Sequence, residues 1–415
     1  MQTLEELNSG QLKGIKKLTI SQNLTEFPEK IFELADTLEI LDLSHNRLTT
    51  LPNLERLTHL KIAFFSYNLF TTLPNAFKEC KNLYMLGFKA NQIELIEEDI
   101  LPLSISWLIL TDNRLKTLPQ SIGKLGKLQK FPLAGNQLTT LPNSMQNCKN
   151  LELLRLSANN LRDIPSWIFE LPKLSWLAFS GNDCSVQPQI DLKKASIAKL
   201  HIKEQLGEGA SGMIYKAFCP TLDKDIALKL FKGQITSDGY ALDEMNTYMS
   251  IGKHNNLINV IAKIDEDEKL GLLLDLIPKN YQNLGYPPNF ETCTRDTFPP
   301  KYSMTCENIY EVLKHILSAA IHLHEKNLMH GDLYAHNILI NENNHCYLGD
   351  FGASSFYDNK LYEKIEVRAF GCLIDDLLNI CSNKENSDFE RLRTISHICM
   401  QENVKARPFF REINL

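Results

Sequence analysis

An asparagine recurs every 22 or 23 residues through the first half of the chain, and this period constrains the fold more than any other feature. Apolar residues precede most of these asparagines by eight, five and three positions, and a proline follows most of them by six. The recurring residues are Asn23, Asn46, Asn68, Asn91, Asn113, Asn136, Asn159 and Asn182. A unit this short cannot bury its own leucines, so the period predicts units that stack into a solenoid.

Each unit offers a short strand followed by a turn. In one unit Leu154 and Leu156 precede Asn159, whose amide can bond backbone groups of neighbouring coils, and Pro165 ends the turn. The pattern L-x-x-L-x-L-x-x-N-x-L followed by x-x-L-P closely resembles the leucine-rich repeat family. The resemblance covers about eight units of 22–23 residues and implies a repeat domain over residues 1–190.

From Asn46 onward, the position six residues before each asparagine is predicted to lie on the concave face of the solenoid. It is apolar in most units, and its residues are Ile40, Ile62, Met85, Trp107, Lys130, Leu153 and Trp176. A contiguous exposed apolar stripe usually marks a surface that binds a partner. Trp107, Trp176, Ile62 and Met85 are therefore the candidate contacts for a protein. The alternative is a shallow groove without a ligand, or one covered by the rest of the chain.

A glycine-rich segment follows a short predicted linker over residues 191–200. The segment LGEGASGMIYKAF, residues 206–218, contains Gly207, Gly209 and Gly212 in the G-x-G-x-x-G spacing. A strand-like run follows the last glycine, whereas a helix follows it in dinucleotide-binding folds. The glycines therefore predict a hairpin whose backbone amides can approach phosphate oxygens. No Gly-Lys-Ser/Thr follows, which excludes a Walker A loop.

Further polar motifs follow in order along the chain. Lys229 ends the strand-like IALK, and the next helical segment holds Glu244, with Asp243 as its rival, as an acidic partner for that lysine. The segment HGDLYAHN, residues 330–337, contains Asp332 and Asn337, and LGDFG contains Asp350.

This series resembles the protein-kinase signature set. The resemblance implies an α+β domain of two lobes over 201–415, with the N-lobe at about 201–277 and the C-lobe at about 278–415. It implies that Lys229 holds the ATP phosphates, that Asp332 accepts the proton of the acceptor hydroxyl, and that Asn337 and Asp350 bind Mg²⁺. The implied nucleotide-binding residues are Leu206, Gly207, Gly209, Gly212, Ile214, Ala227, Lys229, Glu244, Asp275 and Leu276.

The catalytic segment departs from the family at three positions. Gly331 replaces the Arg that anchors a phosphorylated activation loop, so we do not expect activation by that route. Tyr334 stands where Ser/Thr kinases have Lys, and His336 where Tyr kinases have Arg. A protonated His336 could replace part of that missing charge near the γ-phosphate.

The segment after Asp350 is short. No A-P-E is present, and only 16 positions separate Asp350 from Glu366, which opens EVRAFG in place of the family's D-V-W-S-F-G. Arg407 resembles the family's late Arg but lacks its usual partner, and Glu363 is a possible replacement. Conversely, residues 280–303 form an insertion that could cover the cleft or the missing peptide-docking platform.

We therefore expect an ATP- and Mg²⁺-dependent protein kinase, acting on Ser or Thr, whose repeats recruit a substrate or regulator. The alternatives are a nucleotide-binding pseudokinase that acts as a scaffold and a kinase for a small molecule. A net charge of −6 argues against bulk binding of nucleic acid. The acidic start, the absence of a long apolar run and the ten scattered cysteines predict a cytoplasmic protein without a membrane span, with export by an unusual route left open.

Overall fold

The computed structural model describes residues 1–185, 194–209, 212–233, 239–266 and 269–415. Its contacts divide the chain into two compact units. The first unit contains Met1–Leu171 and Asn182–Cys184, and the second contains Pro172–Gly181 and Ser185–Leu415. Pro188 and the beginning of the predicted linker lie outside the described residues.

The first unit is the predicted repeat solenoid. A short helix, α1 (Leu4–Asn8), precedes the strands. The strands of this unit are β1 (Lys17–Thr19), β2 (Ile40–Asp42), β3 (Ile62–Phe64), β4 (Met85–Gly87), β5 (Trp107–Ile109), β6 (Lys130–Pro132) and β7 (Leu153–Arg155). They pair in parallel and in chain order. Short 3₁₀ helices occur between strands, at Glu29–Leu34, Gln120–Lys124, Asn143–Asn147 and Ser166–Glu170.

The repeated asparagines bond one coil to the next. The side-chain oxygen of Asn159 accepts the backbone N–H of Leu138 at 3.0 Å. Its side-chain nitrogen donates to the carbonyls of Leu133, at 3.1 Å, and Leu156, at 2.9 Å. Asn159 is buried, so each of these bonds satisfies a backbone group that water cannot reach. The side-chain amide of Asn159 therefore links the backbones of neighbouring coils, as main-chain hydrogen bonds link the strands of a sheet.

Burial corrects the prediction of an exposed apolar stripe. Ile62, Met85 and Trp176 are each no more than 2% exposed, whereas Trp107 is half-buried. In-register pairing places Ile62 beside Met85 and Met85 beside Trp107, so neighbouring side chains pack along the ladder. Trp176 lies in β8 (Trp176–Ala178), which belongs to the second unit and is buried there. Among the four candidate contacts, Trp107 keeps accessible surface.

The second unit continues with a sheet-rich part. After a 3₁₀ turn at Ile197–Lys199, its elements are β9 (His201–Glu208), β10 (Gly212–Cys219), β11 (Lys224–Phe231), α2 (Ala241–Ile251), β12 (Val260–Glu266) and β13 (Lys269–Asp275). The five strands form an antiparallel sheet in the order β12-β13-β11-β10-β9.

Helices dominate the part that follows. Its elements are β14 (Gln282–Asn283), α3 (Cys306–Glu325), β15 (Leu328–Met329), β16 (Ile338–Ile340), β17 (Cys346–Leu348), β18 (Ser355–Phe356), α4 (Leu361–Asn379) and α5 (Ser387–Cys399). Short 3₁₀ turns lie at Ala335–Asn337, Val404–Ala406 and Phe410–Glu412. A sheet-rich lobe before a helical lobe confirms the predicted fold class. No helix among the described ranges combines the length and apolarity that crossing a bilayer requires.

Alternation along β11 separates a core face from a cleft face of the sheet. Ile226 and Leu228 are fully buried and belong to a cluster that includes Leu273 of β13 and Leu200. Because successive side chains of a strand point to opposite faces, Ala227 and Lys229 lie on the other face. The strand thus buries its aliphatic residues on one side and presents its lysine on the other.

Candidate active site

The glycine-rich segment contains the end of β9 and the start of β10, while residues 210 and 211 lie outside the described residues. Gly207 pairs with Ile214 across the two strands, and the N–H of Gly209 donates to the carbonyl of Gly212 at 2.9 Å. A Cβ at Gly212 would lie 2.5 Å from the carbonyl oxygen of Leu230, so only glycine allows this close packing on β11. A Cβ at Gly207 or Gly209 would meet no atom within 4 Å, so their backbones border open space. This arrangement suits a lid over a phosphate chain.

Lys229 forms a buried ion pair with Glu244. The lysine lies on β11, the glutamate lies on α2, and the ammonium donates to a carboxylate oxygen of Glu244. The two residues are 7% and 2% exposed. Burial opposes the lysine's charge, but the carboxylates of Glu244 and then Asp350 hold the pKa of Lys229 above its usual range. Of the two acidic residues the sequence offered, Glu244 contacts the lysine.

The remaining predicted nucleotide contacts lie on the strands of this sheet or directly after them. Ile214 is directly opposite Lys229, and Ala227 lies two residues before it on the same face. Leu206 is 44% exposed at the end of β9. Asp275 ends β13 and precedes the half-buried Leu276, and its carboxylate accepts from Lys224 at 2.7 Å and from Asn259 at 2.9 Å. Its backbone N–H also donates, to the carbonyl of Asn259 at 3.0 Å, so both the side chain and the N–H of Asp275 already have partners.

The predicted catalytic loop has an ordered hydrogen-bond network. Asn337 donates from its amide nitrogen to both the carbonyl and the carboxylate of Asp332, each at 2.9 Å. The N–H of Asp332 donates to Nδ1 of His330 at 3.2 Å, while Nε2 of His330 lies 2.9 Å from the carbonyl of Gly349. These two bonds require the imidazole to carry its proton on Nε2. His330 thus couples the loop that holds Asp332 to the strand that precedes Asp350.

Asp350 follows β17 at a backbone φ of 55° and has an exposed side chain. Its N–H donates to the hydroxyl of Tyr248 on α2 at 3.1 Å. The next residue, Phe351, is buried, with its ring 4.7 Å from that of Tyr248 and 4.8 Å from that of His330. Helix α2 therefore contributes both Glu244 and the tyrosine that holds the Asp350 turn. Sequence reasoning missed Tyr248, because its place one helical turn after Glu244 carries no motif.

His336 is bound by the insertion over 280–303. Its Nδ1 lies 2.7 Å from one carboxylate oxygen of Asp296, and its backbone N–H donates to the other at 3.0 Å. Burial would lower the pKa of His336, but the hydrogen bond and the charge of Asp296 raise it. Arg295 anchors the same insertion to α4 through Asp375, at 2.8 Å, and Asp376, at 2.6 Å. The insertion thus lies against the catalytic loop, and Asp296 is a site residue that no motif indicated.

Arg407 corrects one expectation. Its guanidinium donates to the carbonyls of Pro172 at 2.7 Å, Gln401 at 2.8 Å and Lys364 at 3.0 Å. Glu363 instead accepts the N–H of Phe410 at 2.8 Å. The suggested Arg407–Glu363 pair is therefore wrong for the described residues, because backbone carbonyls already satisfy this buried guanidinium.

The chemistry of Asn337 and Asp350 fits a magnesium ion that arrives with a nucleotide. Asn337 uses its amide nitrogen toward Asp332, which directs its oxygen elsewhere, and Asp350 offers an exposed carboxylate. Within the ranges described, no group of three or more His, Cys, Asp and Glu side chains could hold a metal ion. Mg²⁺ in nucleotide sites needs only one or two carboxylates, because water and phosphate oxygens complete its shell.

Comparison with known families agrees with this geometry. Residues 200–369 match the family model of the protein kinase domain, and residues 104–161 and 37–57 match leucine-rich repeat models. The chain thus combines leucine-rich repeats with a protein kinase domain. Among curated proteins, fibroblast growth factor receptor 1 of Xenopus laevis is 27% identical over 167 residues, which are 37% of this chain and 21% of the receptor. The match therefore spans about a fifth of that relative.

Proposed function

We propose that this chain is an ATP- and Mg²⁺-dependent protein kinase that phosphorylates Ser or Thr, with repeats that recruit a substrate or regulator. The observation that carries the proposal is the buried Lys229–Glu244 pair, with the charge of Asp350 acting on the same ammonium. Phosphoryl transfer depends mainly on positioning and on compensating charge, and this arrangement supplies both.

Each side chain then has one task. Lys229, held by Glu244, binds phosphate oxygens, and Asn337 and Asp350 hold the ion. Asp332 accepts the proton of the attacking hydroxyl, and its hydrogen bond from Asn337 keeps the carboxylate oriented. When bound, ATP would supply the phosphoryl group, and Mg²⁺ held by Asn337 and Asp350 would neutralise part of the charge of the phosphate oxygens. The glycine hairpin covers the phosphates and excludes water.

The choice of Ser or Thr is tested separately from the transfer itself. Four positions after Asp332 this chain carries His336, bound to Asp296, where Tyr kinases of the resembled family have Arg, and two positions after Asp332 it carries Tyr334 where Ser/Thr kinases have Lys. The missing Arg argues against a Tyr kinase, but the missing Lys removes the corresponding argument for Ser or Thr. Identification of the phosphorylated amino acid after acid hydrolysis tests the choice. Phosphotyrosine as the main product would contradict it.

The activity itself is tested with purified full chain, labelled ATP and Mg²⁺. Lys229→Met and Asp350→Ala should each lower transfer to protein by about 100-fold or more, because the first removes a cation at the phosphates and the second removes a carboxylate that would hold the ion. Lys203→Met is the matched control, since Lys203 forms an exposed ion pair with Asp225 on the same sheet. Equal transfer by wild type and Lys229→Met would contradict the proposal.

A nucleotide-binding scaffold is the second candidate. The observation that favours it is that Tyr334, buried, and His336, paired with Asp296, occupy the positions where the family has Lys or Arg. Nucleotide binding without transfer to any acceptor would support this candidate. ATP consumption with no label on protein would instead support a small-molecule acceptor.

For the repeats, we propose that the face around Trp107 binds the protein partner. Its indole is half-buried, and the ammonium of Lys130 lies 4.1 Å from the ring centroid, which gives a mixed aromatic and cationic surface. Trp107→Ala should weaken retention of a protein that the wild type captures and phosphorylates, whereas Lys116→Ala, an exposed change in the same repeat, should not. Nucleotide affinity, measured separately, reports whether the kinase domain is intact.

A further inference from the structure

The second unit contains Pro172–Gly181, which precede the kinase-like sequence, and this segment contacts the catalytic loop directly. The indole of Trp176 stacks on the ring of Tyr334, with centroids 4.3 Å apart and planes 8° from parallel. Its Nε1 donates to the carbonyl of Leu333 at 3.1 Å. Trp176 is 1% exposed and Tyr334 4%. One side chain therefore fixes two residues that directly follow Asp332.

The same segment holds the turn that follows Asp350. The hydroxyl of Ser355 accepts the backbone N–H of Phe179 at 2.9 Å and that of Ser180 at 3.2 Å. The ring of Phe179 lies 4.9 Å from that of Tyr362, in the first turn of α4. Pro172–Gly181 thus contact the chain both after Asp332 and after Asp350.

Three departures from the kinase pattern meet this segment. Gly331 has a φ of 76°, and a Cβ there would lie 2.4 Å from the carbonyl oxygen of Ala353 and 2.7 Å from that of Leu177. Arg368, in place of the family's Trp, donates to the hydroxyl of Ser175 at 2.8 Å. Arg407, which lacks the usual glutamate, donates to the carbonyl of Pro172. Gly331, Arg368 and Arg407 therefore depart from the family at positions that accommodate or contact this segment.

We propose that Pro172–Gly181 act as a built-in positioning element for the catalytic loop, in place of the missing second half of the activation segment, with Trp176 as the positioning residue. The inference rests on the proposed kinase function. Because the carbonyl of Leu177 occupies the space beside Gly331, no side chain can reach a phosphorylated loop from that position. The loop that carries Asp332 is thus held by contacts within the chain, without phosphorylation of an activation loop.

The test compares Trp176→Ala, Trp176→Phe and Trp167→Ala in the full chain. Trp167 is a matched control, because it is a buried tryptophan of the preceding repeat and belongs to the first unit. Trp176→Ala should lower kcat on the order of 100-fold by releasing the loop, with the dissociation constant for ATP unchanged. Trp176→Phe keeps an aromatic ring on Tyr334 and should restore most of kcat.

Amide hydrogen exchange supplies a readout that is independent of activity. In Trp176→Ala, exchange should increase across residues 331–337 and stay unchanged across β11 and α2. Trp167→Ala should show no such local increase. If the wild type transfers no phosphate, the proposed function fails, but a local increase in exchange would still support the positioning role.

Two results would overturn the inference. One is amide hydrogen exchange at residues 331–337 that is as slow in Trp176→Ala as in the wild type. The other is an equal loss of kcat and melting temperature in Trp176→Ala and Trp167→Ala, since that would indicate general destabilisation. If Trp176→Ala does not fold, Ser355→Ala replaces it, because that change removes only the acceptor for Phe179 and Ser180.

Discussion

The carboxylate of Glu366 accepts the backbone N–H of His330 at 3.0 Å and thereby ties helix α4 to the catalytic loop. It also accepts the N–H of Gly331 at 2.6 Å and lies 2.7 Å from Nε2 of His324. Burial alone would raise the pKa of Glu366, but the bond with His324 and those from the backbone lower it. The charged form of this buried carboxylate is therefore the form that the fold requires.

This relationship predicts a pH-dependent contribution to stability. Because the folded pKa of Glu366 lies below the unfolded value of about 4.3, its contribution is present above that pH and is lost as the pH falls through the folded pKa. Glu366→Gln should reduce the free energy of unfolding by about 2 kcal/mol at pH 7, and the difference from wild type should narrow in acid. Urea unfolding of Glu366→Gln and wild type between pH 7 and pH 3 measures this difference in free energy of unfolding.

Glu385→Gln is the control for that series, because Glu385 is exposed. It should change the free energy of unfolding by less than about 0.5 kcal/mol at any pH. A Glu366→Gln difference that stays constant down to pH 3 would contradict the prediction.

Asp296 is expected to stabilise the catalytic loop through His336. Asp296→Ala removes the acceptor of two hydrogen bonds from His336, so the free energy of unfolding should fall by about 2 kcal/mol and the transfer rate should fall with it. Asp375→Ala is the matched change, because that carboxylate is 42% exposed and pairs with Arg295 of the same insertion. Asp375→Ala should lower the free energy of unfolding by less than about 1 kcal/mol. Equal losses in the two variants would argue against a specific role for Asp296.

Gly331 should tolerate no side chain. Gly331→Ala combines a left-handed backbone with a Cβ less than 3 Å from two carbonyl oxygens, so we expect a loss of about 3 kcal/mol. Gly126→Ala is the control, because a Cβ there meets nothing within 4 Å. Thermal and urea unfolding of both variants check the difference. A Gly331→Ala protein as stable as wild type would show that the two carbonyls can move apart.

The hydrogen bonds between coils of the solenoid can be tested by replacing two neighbouring asparagines of one repeat, Asn159 and Asn160, separately with alanine. Asn159→Ala leaves the N–H of Leu138 and two carbonyls without their side-chain partner, which should cost about 2–3 kcal/mol. Asn160 is exposed, and its backbone bond to Leu138 survives truncation, so Asn160→Ala should be close to neutral. Chemical unfolding compares the neighbours. Similar losses at both positions would contradict the assignment of the buried ladder to Asn159.

Most of the fold could be predicted from local sequence patterns. The period of the asparagines predicted one short strand in each stacked unit, since each unit repeats one apolar spacing. The structure confirms this prediction and shows that the strands pair in parallel. Helix α4 begins at Leu361, five residues before Glu366, at which the family-like segment opens. The predicted exposed apolar stripe is wrong at Ile62, Met85 and Trp176, which are buried. Strand periodicity predicts which side chains lie on the same face, but it does not show which other residues cover that face.

The sequence by itself determined the repeat period, the order of the kinase-like motifs and the residue types that phosphoryl transfer needs, since each depends on neighbours close along the chain. Only the tertiary structure decided the partners of His336, Arg407 and Tyr334. Those partners are Asp296, the carbonyl of Pro172 and the ring of Trp176. Each partner lies tens of residues or more away in sequence and contributes ring packing or one or two hydrogen bonds, which leaves no periodic or motif signal for local reasoning to detect.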